Sequence, residues 1–298
     1  MLRLGIMGFS EGNGHPYSWS AIFNGYHVDH MRMCGFPVIP EYLAQQSWPS
    51  ARIEGAQVTH VWTQFPELSR RIAAAALIPE VVTDYREMLG HIDALLLARD
   101  DAKNHLELVR PFLEVGLPVY IDKPIAISLT DFERIHALEQ YKGQIFTCSA
   151  LRYAQELQLS KQDAESLGEV RHVDATTPKS WEKYGVHIIE PVLRLAACSP
   201  ISIKAVSLGE AGTLVAVCFE NGMTATLTAL GDNVAAPISM KVYAERGWKE
   251  MLFNDAFSAF KMALQDFVDG IKNQECRSPK EFNRQVVTLI EAGGTCAR

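Results

Sequence analysis

The run Ile92–Ala98 reads Ile-Asp-Ala-Leu-Leu-Leu-Ala, with Asp93 its one polar residue. A strand with one wet face alternates apolar and polar side chains, and this run does not alternate. It therefore belongs to a sheet covered by helices on both faces, which is the setting of parallel strands. The flanking sequence supplies the rest of such a sheet. Leu2–Gly8, Val58–Trp62, Val81–Val82, Pro118–Pro124 and Gln144–Ser149 read as further strands. Tyr17–Asn24, Glu67–Ala76, Asn104–Val115 and Thr130–Tyr141 read as the helices between them. Residues 1–150 are expected to be an α/β domain with a parallel sheet. Residues 26–56 do not fit a simple crossover and are expected to be a solvated insertion, with the rigid Phe36–Pro40 segment as a lip over a pocket.

The rhythm then changes. Gly168–Thr177 reads as a strand and Gly185–Ala197 as a helix. Four strand-like runs follow in series, at 201–208, 213–220, 223–230 and 238–245. Asn221-Gly222 is a tight-hairpin signal between two of them. Two helices, 256–271 and 279–292, close the chain. Residues 151–298 are thus expected to be an α+β domain built on a mainly antiparallel sheet.

Composition excludes several classes. A net charge of −7 with no Lys/Arg block leaves no electrostatic footprint for nucleic acid. No apolar run approaches the roughly 20 residues of a membrane helix, and the start of the chain does not read as a signal peptide. The six cysteines (34, 148, 198, 218, 276 and 296) include no CxxC pair. They are read as reduced thiols of a cytoplasmic protein. His27, His30 and Cys34 match no standard metal spacing, so no metal site is expected.

Two stretches carry chemistry. The first is the strand end Val119-Tyr120-Ile121-Asp122-Lys123-Pro124. Ligands of open α/β sheets bind outside the carboxyl ends of the strands, so Lys123 is placed for chemistry there. A surface lysine is the plainer reading. The second is the loop Gly8-Phe9-Ser10-Glu11-Gly12-Asn13-Gly14-His15-Pro16, between a strand and a helix. Strand, glycine loop and helix form a phosphate cradle in nucleotide-binding units, and Pro16 suits the first helical turn. The spacing is not GxGxxG, and Glu11 would repel a phosphate unless it turned away, so an ordinary long turn is the alternative. The long loop could also admit a larger substrate that touches His15. Arg152 could grip a carboxylate or phosphate, against a simple salt bridge, and Trp181 and Tyr184 could stack on a sugar ring, against core packing.

In order, the chain shows a dinucleotide-type α/β unit, a strand ending Asp122-Lys123-Pro124, the helix Gly185-Val186-His187-Ile188-Ile189-Glu190, and an antiparallel sheet. This order resembles the Gfo/Idh/MocA oxidoreductase family over nearly the whole chain. The resemblance implies a Rossmann-type first domain that binds NAD or NADP. It places Gly8, Phe9, Ser10, Gly12, Gly14, Thr63, Arg99, Asp100, His105, Asp122 and Lys123 on the cofactor. It makes Lys123, His187 and Glu190 the acid–base group, converging on one nicotinamide. Arg152, Trp181, Tyr184 and His15 then fall to the substrate, a small sugar-like molecule oxidised or reduced at a hydroxyl or keto group. It also implies a homodimer or homotetramer formed through the second-domain sheet, whose apolar face would otherwise be exposed.

Three departures qualify this. The glycine loop is longer than the family's, Thr63 and Gln64 stand where an acidic residue usually closes the second strand, and Glu190 replaces an Asp. NADP use is therefore open, with Arg70 and Arg71 near a 2′-phosphate only if the backbone returns them. The other class of function compatible with these departures is a non-catalytic nucleotide- or sugar-binding regulatory protein that retains the fold.

Overall fold

The parallel sheet is present. In the computed structural model, which describes residues 1–296, the chain begins β1 (Leu2–Met7), α1 (His15–Asn24), α2 (Val28–Arg32), α3 (Val38–Ala44), β2 (Ala56–Trp62) and α4 (Pro66–Ala76). It continues β3 (Glu80–Val81), β4 (Ala94–Leu97), α5 (His105–Glu114), β5 (Val119–Ile121), α6 (Leu129–His136) and β6 (Ile145–Phe146). All six strands run parallel in the order β3-β2-β1-β4-β5-β6, the doubly wound order. Every residue of β4 is 0% exposed, as its unbroken apolar run requires. Strands β5 and β6 are shorter than the sequence runs, because pairing stops where Asp122 and Thr147 leave the ladder.

The 26–56 segment is a correction. It folds as α2 and α3, and Met31, Cys34, Ile39 and Leu43 are buried. A Cβ on Gly14 would lie 2.6 Å from Ile39 Cδ1 and 2.9 Å from Phe36 Cγ. The Phe36–Pro40 stretch thus packs on the glycine loop itself, and only glycine leaves room for it.

The second half contains α7 (Lys161–Leu167), β7 (Val170–Thr177), α8 (Trp181–Tyr184), α9 (Val186–Ala196), β8 (Pro200–Ser207), β9 (Thr213–Phe219), β10 (Thr224–Ala229), β11 (Ser239–Ala244) and β12 (Gly247–Leu252). Helices α10 (Ala256–Asn273) and α11 (Lys280–Cys296) end it. The sheet order is β12-β11-β7-β10-β9-β8, antiparallel except for β7 beside β10. Strand β12 is absent from the sequence reading. It is an edge strand with Trp248 and Leu252 exposed, so it has no alternation to detect. The open face of this sheet is mixed: a half-exposed polar ladder of His172, Asp174, Thr176, Thr224, Thr226 and Thr228 fills the two central strands, while Trp248, Leu252 and Val206 stand exposed on the edge strands of the same face. His172 Nδ1 lies 2.7 Å from Thr224 Oγ1, and Thr176 and Ser239 hydroxyls pair at 2.7 Å.

The chain divides into two units that are not continuous in sequence. Among the described residues, one comprises 1–125, 133–147 and 260–279, the other 126–132, 148–259 and 280–296. The single boundary near 150 in the sequence reading lacks these exchanges. The return of 260–279 has a packing cause: Phe267 lies 5.5 Å from the rings of both Tyr120 and Phe146. Cys34, Cys148, Cys198, Cys218 and Cys276 are free thiols, and the Cys296 side chain lies outside the described residues. No helix among the described residues is long and apolar enough to cross a membrane. Leu96→Ala is expected to destabilise the protein by about 3 kcal/mol, since it removes a wholly buried side chain from a close-packed central strand. Urea denaturation measures this.

Candidate functional site

The two units contribute separate groups of site residues. In the first unit, the loop Gly8–Gly14 leaves β1 at the carboxyl edge of the sheet and enters α1. Among the described residues, the backbone N–H groups of Ser10, Glu11, Gly12 and Gly14 take no partner within the protein. Gly8 and Pro16 fit closely, for a Cβ on Gly8 would lie 2.6 Å from Pro16 Cγ. Glu11 is exposed at the loop surface. Unspent amides before a helix are what a pyrophosphate requires, so this chain's residues fit a dinucleotide.

Other side chains are spent on holding that loop. Gln64 Nε2 donates to Phe9 O at 2.7 Å and Gln64 Oε1 accepts Phe9 N–H at 2.9 Å. Arg99 donates to Gln64 Oε1 at 3.1 Å and forks onto Asp101 at 2.8 and 2.5 Å. Thr63 is buried, with its hydroxyl on Phe65 O and its N–H on Ser69 Oγ, so it shapes the start of α4. Arg70 pairs with Glu67, and Arg71 donates to Met33 O at 2.7 Å; the backbone does not bring either back to the end of β2. His105 is wholly buried between two carbonyls, Arg99 O at 2.9 Å and Ile125 O at 3.0 Å. Burial pushes its imidazole down, toward the neutral form. It acts on the site by pinning the turn after β4.

Lys123 stands two residues beyond Ile121, the last residue of β5, and is 6% exposed. Its Nζ lies 3.7 Å from Asp100 Oδ2, and Asp100 Oδ1 accepts the Ser10 hydroxyl at 2.6 Å. Asp100 and Ser10 thus serve the lysine. Asp122 turns inward, its Oδ1 accepting the Lys123 backbone N–H at 2.8 Å. The role of Asn13, which donates to Asp122 at 2.8 Å, escaped the sequence reading; its place between two loop glycines was the available signal.

In the second unit, α9 carries His187 and, one turn later, Glu190. His187 is half-buried, with Nδ1 2.7 Å from Ser149 Oγ. Ser149 N–H donates to Glu190 Oε1 at 2.8 Å, and Arg152 Nε donates to Glu190 Oε2 at 2.6 Å. Arg152 Nη2 also donates to Asn283 at 3.2 Å. Glu190 and Arg152 are both buried, so Glu190 is neither a solvated residue nor open to a ligand, and Arg152 has its grip inside the protein. Burial pushes the Glu190 carboxyl up, against the pull of Arg152. Trp181 is buried with Nε1 on Ile290 O at 2.9 Å, a packing role. Tyr184 stands edge-on to the His187 ring at 5.0 Å, and Lys179 Nζ donates to its hydroxyl at 2.7 Å. Ser149 and Asn283 were not legible as partners, since each is distant in sequence from what it holds, and Lys179, five residues from Tyr184, carried no motif to mark it.

Residues 33–149 match the model of an oxidoreductase family with an NAD-binding Rossmann fold. That model is the one of the Gfo/Idh/MocA oxidoreductases, and its match covers less than half of the chain. The matched span begins after the glycine loop. Among characterised sequences, a putative UDP-kanosamine synthase oxidoreductase subunit of Amycolatopsis mediterranei is 29% identical over 69 residues; that match spans 23% of this chain and 19% of the relative's length. Solved structures share the whole fold. A probable dehydrogenase from Thermotoga maritima superposes with a TM-score of 0.75 at 14% identity, over 99% of this chain and 96% of the other. The myo-inositol 2-dehydrogenase of Lactobacillus plantarum gives 0.73 at 14%, over 99% and 97%. The scyllo-inositol dehydrogenase of Lactobacillus casei, with bound NAD(H) and scyllo-inositol, gives 0.72 at 16%, over 99% and 96%.

The Glu190–Arg152 pair has a direct test. Glu190→Gln leaves a buried guanidinium without its counter-ion and is expected to cost roughly 3 kcal/mol. Replacing both partners by Leu and Met is expected to recover most of that loss in denaturant titrations.

Proposed function

We propose that the chain is an NAD- or NADP-dependent dehydrogenase or reductase acting on a hydroxyl or keto group of an inositol, sugar, sugar acid or nucleotide-linked sugar. The observation that carries this reading is Lys123, a buried amine at the carboxyl end of an inner strand, steadied by Asp100 and Ser10. The inositol dehydrogenases among the structural relatives support the substrate class. A bound nicotinamide supplies the hydride acceptor or donor. The free loop amides of Ser10, Glu11, Gly12 and Gly14 would hold its pyrophosphate, and Lys123 would exchange the proton of the reacting hydroxyl. His187, whose orientation Ser149 sets, serves as the second acid–base group, with Tyr184 beside it for the sugar ring. Glu190 assists by holding Ser149 rather than by touching substrate.

We also assign a cytoplasmic location, which the free thiols favour, and a homodimer or homotetramer through the sheet of the second unit. A non-catalytic binding protein is favoured instead by the tie of Gln64 to Phe9, which uses a side chain at the place where a ribose is usually read. Titration with NADH and NADPH, followed by nicotinamide fluorescence, separates the two readings: binding of neither at millimolar levels sinks the enzyme. With a turned-over inositol or sugar in hand, Lys123→Ala is expected to lower turnover by about a thousandfold or more while the cofactor Kd stays within about threefold. Retained turnover removes Lys123 from its role.

A further inference from the structure

Asp122 joins three segments of the first unit. Its Oδ1 accepts the Lys123 backbone N–H at 2.8 Å, while its Oδ2 meets Asn13 Nδ2 at 2.8 Å and His15 Nδ1 at 2.6 Å. Asn13 closes the ring, since its Oδ1 accepts the backbone N–H of His15 at 2.8 Å. Asp122 is 0% exposed, so these donors replace all the water it has lost. Burial alone would push its carboxyl up, but His15, Lys123 and Asn13 hold it below the usual carboxylate range. The imidazole is fixed on its other sides as well. Its ring stacks on Trp19 at 4.8 Å and meets Phe260 edge-on at 5.0 Å. The sequence assigned Asp122 to the cofactor and His15 to the substrate; the geometry uses both inside the protein.

We propose that His15 is a positioning residue for Lys123. Through Asp122 it fixes the backbone from which the lysine side chain leaves β5, and through Asn13 it ties that backbone to the glycine loop. Loop and lysine therefore move as one part, so that the element expected to meet the dinucleotide also sets the place of the amine. The catalytic consequence rests on the dehydrogenase reading above, whereas the mechanical link does not.

The test compares the native chain with His15→Ala, Asn13→Ala and His15→Asn. Asparagine keeps an N–H donor near the position of Nδ1. An amine-reactive probe, trinitrobenzenesulfonate, is applied to unliganded protein, and labelling of Lys123 is read by peptide mass spectrometry against the exposed Lys142 as internal reference. The link predicts that His15→Ala and Asn13→Ala speed labelling of Lys123 at least fivefold relative to Lys142. His15→Asn returns the rate to within twofold of native. Unchanged labelling in both alanine variants overturns the proposal. So does a rise of Lys123 and Lys142 together with a lowered Tm, which is general loosening, or a failure of His15→Asn to rescue. Should His15→Ala not fold, Asn13→Ala and His15→Asn decide alone. With a substrate, His15→Ala is expected to reduce kcat at least tenfold with KM within threefold, and an equal loss in both overturns the positioning role. Failure of the native chain to bind NADH or NADPH would count against the dehydrogenase reading and leave the labelling result standing.

Discussion

A carboxylate cut off from water must be surrounded by donors, and the carboxyl edge of the parallel sheet is organised by that requirement. Asp122 sits at the end of β5 with no exposure, and its three donors come from the loop, from α1 and from the backbone of the next residue. Removing any one would leave a buried lone pair unsatisfied, at a cost of about 1–3 kcal/mol. The nearby Asp100 obeys the same rule with Ser10 and Lys123. Charged residues thus reach the interior of an otherwise apolar sheet only as mutually satisfied sets. The arrangement places an amine where chemistry at a sheet crevice needs one.

The second unit repeats the solution with different residues. Glu190 is buried on α9 and is satisfied by Arg152 and by the Ser149 amide. Ser149 in turn faces His187, the exposed-side member of the group. A buried ion pair of this kind adds little net stability, since desolvation offsets its attraction. Its effect is geometric: it fixes the residue that orients an imidazole. Side chains that look like ligand grips in the sequence, Arg152 and Glu190, serve instead as scaffolding for the one that remains half-open.

The glycine loop shows how a departure from a standard motif is compensated. Its amides at Ser10, Glu11, Gly12 and Gly14 are unspent, as a phosphate cradle needs, yet its path is held by side chains rather than by regular glycine spacing. Gln64 brackets Phe9 from one side, and Asn13 and His15 anchor the other end on Asp122. Phe36 and Ile39 cover Gly14 from a segment that reads as an insertion. Each of these contacts joins residues far apart in sequence, which is why the loop alone was ambiguous.

By itself, the sequence determined the layered architecture and singled out the two stretches proposed to carry the chemistry. An apolar run without alternation admits only a sheet buried on both faces, and Asn-Gly punctuation marks hairpins through local backbone preference. Such signals are carried by adjacent residues and survive without a partner. Tertiary structure alone decided which polar side chains face one another. That Thr63 shapes the turn into α4, that His105 pins a turn, that Arg152 satisfies Glu190 and that His15 rests on Asp122 all depend on the burial the fold imposes. A buried polar group takes whichever donor the fold brings within about 3 Å, and no local pattern records that choice.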